Sequence, residues 1–277
     1  MSRAIAALAA LAVLAAAPAG ALAAPDGAGI MDRVRSHRPQ ACCIYQELTM
    51  IQSDPAGESG VRRVRWFERH EPGGGSRLLL VFVAPADVRG AAVLVTRDSS
   101  GAARGEVHLP ALGRPLGLAA RTEAAMPLVG SGFRLADLLG EAPGDFTYAR
   151  EADAEIDRSI HYVVRATPVE GARSRAGAGP RRHFVRKGDH FLVRTDHLDL
   201  QGALARRQSF RDPRQVEPGV WQADMILMED FGERHRALLK VERRVFSPDY
   251  APAEIFSRQW LAGGRHLLIG GDAPFGP

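Results

Sequence analysis

Hydrophobic and polar residues follow short strand-like patterns along much of the chain, and these patterns are centred on residues 77–139. Residues 78–83 are six consecutive apolar residues between a glycine-rich turn and Pro85, which is typical of a strand buried on both faces. Proline ends such a strand because it has no N–H for the ladder and its φ is fixed. Residues 91–96 form a second apolar run after a turn in which Gly90 is free to adopt a positive φ. The two runs predict a β-hairpin at the core of the fold.

Other segments alternate between apolar and charged residues with a period of two, which predicts strands with one face toward solvent. Strand and helix patterns do not alternate, so we expect a mainly β fold rather than a doubly wound sheet. Short helices are predicted within residues 30–39 and after Phe133, where Leu135, Leu138 and Leu139 have helical spacing. The predicted strands outside the hairpin are 43–50, 63–69, 106–109, 159–167, 182–186, 190–195, 203–210, 220–229 and 236–245.

The first residues have the features of a secretory signal peptide. Residues 1–3 are a basic start, residues 4–17 are an apolar run too short to span a bilayer, and Ala21 and Ala23 occupy the positions that a signal peptidase reads. We therefore expect cleavage after Ala23, export to the periplasm and a mature domain of residues 24–277. An uncleaved amphipathic helix is the alternative interpretation of this segment.

The chain is basic, with a formal net charge of +4 and a pI near 9.5. Of its 36 basic residues only Lys187 and Lys240 are lysines, a bias that reflects coding preference as much as selected chemistry. No basic stretch is interleaved with stacking aromatic residues, so we expect no nucleic-acid partner. A general attraction to an anionic membrane surface remains an expectation.

The sequence offers no convincing catalytic or metal-binding constellation. Residues 130–132 are Gly-Ser-Gly, but the two outer glycines of a nucleophile elbow are absent. His190, Asp196, His197 and Asp199 lie close in sequence, yet neighbouring strand residues such as Asp196 and His197 point to opposite faces. No glycine-rich loop carries the lysine of a phosphate site. We therefore expect a protein that is not an enzyme and that uses no metal or cofactor.

Cys42 and Cys43 are the only cysteines. Adjacent cysteines close only a small ring that distorts the peptide between them, so they do not join distant elements of the fold. A redox switch is one interpretation, and two ordinary strand residues that face opposite sides is the other. We interpret the pair as ordinary strand residues.

Three segments carry a resemblance to a known family. Residues 84–90 (APADVRG), 109–114 (LPALGR) and 129–138 (VGSGFRLADL) resemble, in order, three signatures of the LolA-like outer-membrane lipoprotein-sorting family. Two positions depart from the pattern. His108 stands where an aromatic residue is usual, and residues 115–117 replace a basic pair.

The resemblance implies a fold and a function. It implies a single open, curved antiparallel sheet, or incomplete β-barrel, with short helices that cover the concave face. It also implies a monomeric carrier that shelters acyl chains of a lipid or lipoprotein and exchanges them with a membrane exporter. The alternative within the family is a sensor module that binds a membrane signalling protein or a lipoprotein.

Strand parity and this resemblance together suggest which residues line the concave face. Such a face needs no specific polar contact, because each methylene withdrawn from water contributes about 0.8 kcal/mol. Methionine suits it because its flexible side chain conforms to different chains. A closed core of the same residues is the alternative. The predicted ligand-binding residues are Leu48, Met50, Val64, Trp66, Leu79, Val81, Val93, Val95, Leu109, Phe133, Phe191, Trp221, Met225, Leu227, Leu239 and Val241.

Overall fold

The structure is a computed structural model that describes most of the chain after its first residues. The predicted signal peptide, residues 1–23, lies outside the described part, as do Leu135, Leu138 and Leu139 of the predicted second helix. The described residues are 24–37, 39, 41–53, 56–57, 59–118, 128, 133–134, 137, 140–141, 144–171 and 179–269.

One large antiparallel sheet dominates the described part of the chain. Its thirteen strands are β1 (Cys43–Ser53), β2 (Ser59–His70), β3 (Ser76–Ala84), β4 (Ala92–Arg97), β5 (Ala103–His108), β6 (Pro115–Leu118), β7 (Phe146–Ile156), β8 (Ser159–Pro168), β9 (Arg181–Arg186), β10 (Leu192–Leu198), β11 (Leu204–Glu217), β12 (Val220–Asp230) and β13 (His235–Val245). They are ordered β6-β5-β4-β3-β2-β1-β13-β12-β11-β10-β9-β8-β7, so β6 and β7 are the two edges. The sheet is therefore open, and the predicted fold class is confirmed.

The predicted central hairpin is formed by β3 and β4. Leu79 lies opposite Leu94 and Leu80 opposite Val93, so apolar side chains meet on both faces of the pair. Gly90 closes the turn with a φ of 84°, as its position in the sequence predicts. Its N–H donates to the carbonyl of Phe82 at 2.8 Å, which fixes the register of the returning strand.

Two apolar clusters lie on opposite faces of this half of the sheet. We call the faces inner and outer, the inner face being the one that α1 (Gly27–Ser36) also covers farther along the sheet. The inner cluster contains Leu48, Met50, Val64, Trp66, Leu78, Leu80, Phe82, Val88, Ala91, Val93, Val95, Val107, Leu128, Phe133, Met228, Ala237 and Leu239. The outer cluster contains Cys43, Tyr45, Phe67, Leu79, Val81, Ala92, Leu94, Ala251, Ile255, Phe256, Trp260, Leu261 and Ile269.

Short helices after β13 cover the outer face. They are the 3-10 helices Pro248–Tyr250, Ala253–Ile255 and Arg265–Leu268, and α2 (Arg258–Ala262). Ser257 caps α2, because its Oγ accepts from the N–H of Trp260 at 3.2 Å. Helix α1 covers the inner face as the fold prediction requires, and these C-terminal helices are an additional cover on the outer face that the sequence did not predict. The apolar outer cluster explains it, since β3 and β4 expose apolar side chains on both faces.

Helix α1 packs on the other half of the sheet. The prediction placed a helix within residues 30–39, and the helix begins three residues earlier because Asp26 caps it through Gly29 N–H at 2.8 Å. Ile30 and Met31 are buried against Val164 and Val185. None of the helices in the described ranges is long and apolar enough to cross a membrane.

The two cysteines are bonded to each other, which corrects our interpretation of them as ordinary strand residues. Cys43 is the first residue of β1 and is buried, whereas Cys42 precedes the strand in an exposed bend. The Cys42 carbonyl still accepts from the N–H of His70 at 2.7 Å, so the bonded pair lies at the end of the β1–β2 ladder.

Gly27 is expected to be required for the docking of α1. A Cβ atom at this position would lie 2.8–2.9 Å from backbone atoms of Tyr148, Ala149 and Arg150. Gly27→Ala should therefore destabilise the protein by roughly 1–3 kcal/mol through overpacking, although helix propensity alone favours alanine. Urea denaturation measures the effect, with Gly188→Ala as the control, since a Cβ there meets nothing within 4 Å. A stabilised Gly27→Ala variant would show that α1 does not dock as described.

Candidate ligand-binding cavity

A cavity of about 280 Å³ lies between α1 and the inner face of the sheet. Its walls come from six adjacent strands, from β10 through β11, β12, β13 and β1 to β2. Its apolar lining consists of Val34, Pro39, Leu48, Trp66, Phe191, Leu192, Phe210, Trp221, Ala223, Ile226, Leu239 and Val241.

Cross-strand pairing assembles the apolar floor of the cavity. Leu48 on β1 lies opposite Val64 on β2 and Val241 on β13. Met50 and Leu239 form the next pair on the same face. These side chains are contributed by strands far apart in sequence, and the antiparallel ladder places them side by side because residues two apart share a face.

Aromatic and cationic side chains lie at one end of the cavity. The Arg186 guanidinium is 5.2 Å from the ring centre of Phe191 and 5.3 Å from that of Trp221. Asp189 fixes this guanidinium through hydrogen bonds of 2.9 and 2.5 Å. His190 stacks on His37 of the segment after α1, with ring centres 5.7 Å apart. Burial, followed by the nearby charges of Arg33 and His37, lowers the pKa of His190.

Arg244 supplies a charge inside the cavity, and that charge is already paired. Its guanidinium donates to Asp224 at 2.8 Å, to the carbonyl of Ala223 at 2.8 Å and to Gln46 at 3.1 Å. Burial is the largest influence on this group and lowers the pKa of Arg244 despite the carboxylate. Asp224 also pairs with the exposed Arg214, and the cavity thus contains a polar wall beside its apolar floor.

A smaller cavity of about 110 Å³ adjoins the first, and both are lined by Val34, Asp137, Leu192, Gln208 and Phe210. Its walls are polar. Asp137 accepts two hydrogen bonds from Arg206, at 2.6 and 3.2 Å. The ring of His197 lies 3.8 Å from the same carboxylate, and burial lowers its pKa well below the usual value.

Glu141 is the centre of the second polar group in this smaller cavity. It pairs with Arg181 at 3.2 Å and His183 at 2.9 Å, and it accepts from the Tyr148 hydroxyl at 2.7 Å. Burial opposes ionisation of this carboxyl, but its charged and hydrogen-bonding partners outweigh burial and lower its pKa to about 2. Arg35 of α1 donates to the Tyr148 hydroxyl at 3.2 Å, so the network also holds the helix.

Most of the predicted ligand-binding residues lie on the inner face. Six of them line the larger cavity, namely Leu48, Trp66, Phe191, Trp221, Leu239 and Val241. Met50, Val64, Val93, Val95 and Phe133 are buried in the inner cluster beside it, so they belong to a packed core. The structure thus contains both the cavity and the closed core that the sequence left as alternatives.

Five predicted residues do not lie on the inner face. Leu79 and Val81 belong to the outer cluster, because β3 is apolar at every position and its sequence contains no parity signal. Met225 and Leu227 alternate with Ile226 and Met228, which pack on the inner cluster, so they lie on the outer face. Leu109 lies beyond the end of β5 and is exposed.

Several cavity residues were missed by the sequence interpretation. Phe210 shares one face of β11 with Arg206 and Gln208, and these polar neighbours concealed its apolar role. Val34 was part of the predicted amphipathic helix but was not assigned to the site. Asp196 and His197 do point to opposite faces, since Asp196 binds Arg207 at 2.7 and 2.9 Å while His197 lines the smaller cavity.

Solved structures of bacterial proteins share this fold. An outer membrane lipoprotein-sorting protein domain from Vibrio parahaemolyticus is 21% identical, with a TM-score of 0.78 over 85% of this chain and 98% of that chain. A DUF1329 family protein from Desulfovibrio piger is 20% identical, with a TM-score of 0.75 over 84% and 96%. A LolA superfamily protein from Nitrosomonas europaea is 17% identical, with a TM-score of 0.65 over 86% and 100%.

A family model described as "-like: Uncharacterized protein" matches residues 74–262, more than half of the chain. The chain belongs to this family and has a LolA-like fold. The resemblance seen in three short sequence segments is therefore confirmed. No curated protein matches the sequence. The identities to the solved structures are low, so the likeness concerns the fold of this LolA-like chain.

Replacement of Glu141 by glutamine should destabilise this LolA-like protein by roughly 3–5 kcal/mol at neutral pH, because Arg181 and His183 lose a buried carboxylate partner. The folded-state pKa of Glu141, about 2, is below the usual 4.5. Its contribution is therefore complete above about pH 5 and is lost as the pH falls toward 2. Urea denaturation of both proteins across this range measures the difference, which should shrink in acid.

Exposed Glu155 provides the matched control for this experiment. Glu155→Gln should leave the stability within about 0.5 kcal/mol of wild type across the pH range. A difference between wild type and Glu141→Gln that stays constant down to pH 2 would contradict the depressed pKa of Glu141 and the buried network with it.

Proposed function

We propose that this protein is a periplasmic carrier that binds an acyl chain of a lipid or lipoprotein reversibly and catalyses no reaction. The observation that supports the proposal is the cavity of about 280 Å³ with an apolar floor beneath α1. The fold shared with a lipoprotein-sorting domain agrees with it. The proposal includes export, with removal of residues 1–23.

The energetics of such a cavity suit reversible binding. Twelve methylenes withdrawn from water contribute about 10 kcal/mol at about 0.8 kcal/mol each. Association costs roughly 4–15 kcal/mol in lost translational and rotational freedom. The two quantities are of similar size, so the net free energy of binding is small and the bound chain is readily released.

The size of the cavity suggests a single chain. Ligand pockets usually measure about 300–1,000 Å³, and this one lies just below that range. Arg244 lies in the wall and pairs with Asp224, which also pairs with Arg214, so two guanidinium groups share one carboxylate there.

Ile226 and Leu227 provide a direct test, because they are neighbours on β12 that face opposite sides and are both half-buried. Ile226 lines the cavity, so Ile226→Glu should place a charge in the path of the acyl chain and abolish uptake of a fluorescent fatty-acyl probe. Leu227→Glu introduces the same negative charge on the outer face, away from the cavity, and should retain uptake of the probe. Probe titration, with thermal melting of each variant, measures both effects.

The melting temperatures of the two variants distinguish loss of probe uptake from loss of folding. Both variants should melt within a few degrees of each other, since each position is partly exposed to solvent. Equal uptake by Ile226→Glu, Leu227→Glu and wild type would contradict the carrier proposal. Loss of uptake by Leu227→Glu alone would place the acyl chain on the outer face instead.

A further inference from the structure

Exposed leucines are concentrated at one place on the surface. Nine large apolar side chains are exposed among the described residues, and four of them are Leu109, Leu112, Leu267 and Leu268. Leu268 is 83% exposed. The two sequence segments that carry these leucines are more than 150 residues apart, so their proximity depends on the fold.

Buried contacts beneath the leucines hold three segments together. The rings of His108 and His266 are 4.3 Å apart, and the Gly90 carbonyl accepts from Nε2 of His266 at 3.1 Å. A Cβ on Gly90 would lie 2.3 Å from Leu267 Cδ2 and 3.5 Å from Pro110 Cγ. The turn 85–90, the segment 109–114 and the 3-10 helix Arg265–Leu268 therefore form one continuous surface, which we call the leucine patch.

The leucine patch is also basic. Its three segments contain Arg89, Arg114 and Arg265, all exposed, against the single exposed carboxylate of Asp87. Arg258, beside the patch, donates to the carbonyl of Pro115 at 3.4 Å and pairs with Glu106 at 3.7 Å, so it adds no net charge. Exposed leucines and arginines on the same three segments match the two properties of an anionic bilayer, namely negative head groups above an apolar interior.

We propose that the leucine patch docks this protein on a membrane surface that contains anionic lipids. The leucines enter the boundary between head groups and acyl chains, while the arginines pair with lipid phosphates. The buried histidine pair keeps the segments in place beneath the leucines, so the patch is preformed. This inference concerns a surface separate from the cavity and does not depend on the carrier proposal.

Sedimentation with vesicles of phosphatidylethanolamine and phosphatidylglycerol tests the proposal. Leu268→Ser should weaken binding about tenfold, because a side chain that enters the bilayer loses its apolar contribution. Leu200 is the matched control, since it is 82% exposed but lies in the turn between β10 and β11, and Leu200→Ser should bind as wild type does. Both positions are exposed, so neither change should affect folding.

The same sedimentation assay tests whether arginine charge contributes to vesicle binding and whether the cavity is involved. Arg265→Gln should weaken binding about fivefold, Arg211→Gln should not, and vesicles of phosphatidylcholine alone should bind the wild type poorly. Ile226→Glu should sediment as wild type does, which separates surface docking from uptake of lipid into the cavity. Wild-type binding by Leu268→Ser, or no vesicle binding by the wild-type protein, would overturn the proposal. Retention of a purified protein partner that Leu268→Ser loses, without vesicle binding, would instead assign the patch to a protein.

Discussion

The structure depends on the alternation of side chains across one continuous antiparallel ladder. Each strand residue of the sheet, from β6 to β7, has its side chain on one of two faces. Residues paired across neighbouring strands have their side chains on the same face. In β3 and β4 both faces are covered, by the inner cluster on one side and by the C-terminal helices on the other. In β11 and β12 the inner face lines a cavity instead, because α1 rather than a packed apolar segment lies above it.

The inner face is apolar around β1–β5 and carries buried ion pairs on β9 and β11. Arg206 holds Asp137 against β11, and Arg181 holds Glu141 against β9. Buried pairs contribute little net stability because desolvation offsets their attraction. Their effect is positional, since they hold Asp137 and Glu141 and, through Tyr148, helix α1 above the cavity. A ligand in the cavity therefore meets an apolar floor and a preformed polar wall.

The sequence predicted the strands in which apolar and polar residues alternate strongly. It missed elements that are rich in charged residues and alanine. The central hairpin and most later strands were predicted, but β7 was not, since its residues 150–155 are mostly charged or alanine. The face on which each side chain lies could be predicted in β1 and β2, where Leu48 and Trp66 alternate with polar residues. It could not be predicted in β3 and β12, where both faces are apolar. The polar wall and the leucine patch depend on contacts between distant segments, which periodicity does not encode.

Native mass spectrometry of the protein purified without detergent, followed by lipid extraction of the same sample, tests the central claim most directly. The account predicts a population that carries one acylated molecule, released when the protein is denatured and identified in the extract. A single chain is expected because the cavity measures only about 280 Å³. A uniformly unliganded mass, together with an extract free of acyl chains, would contradict the account.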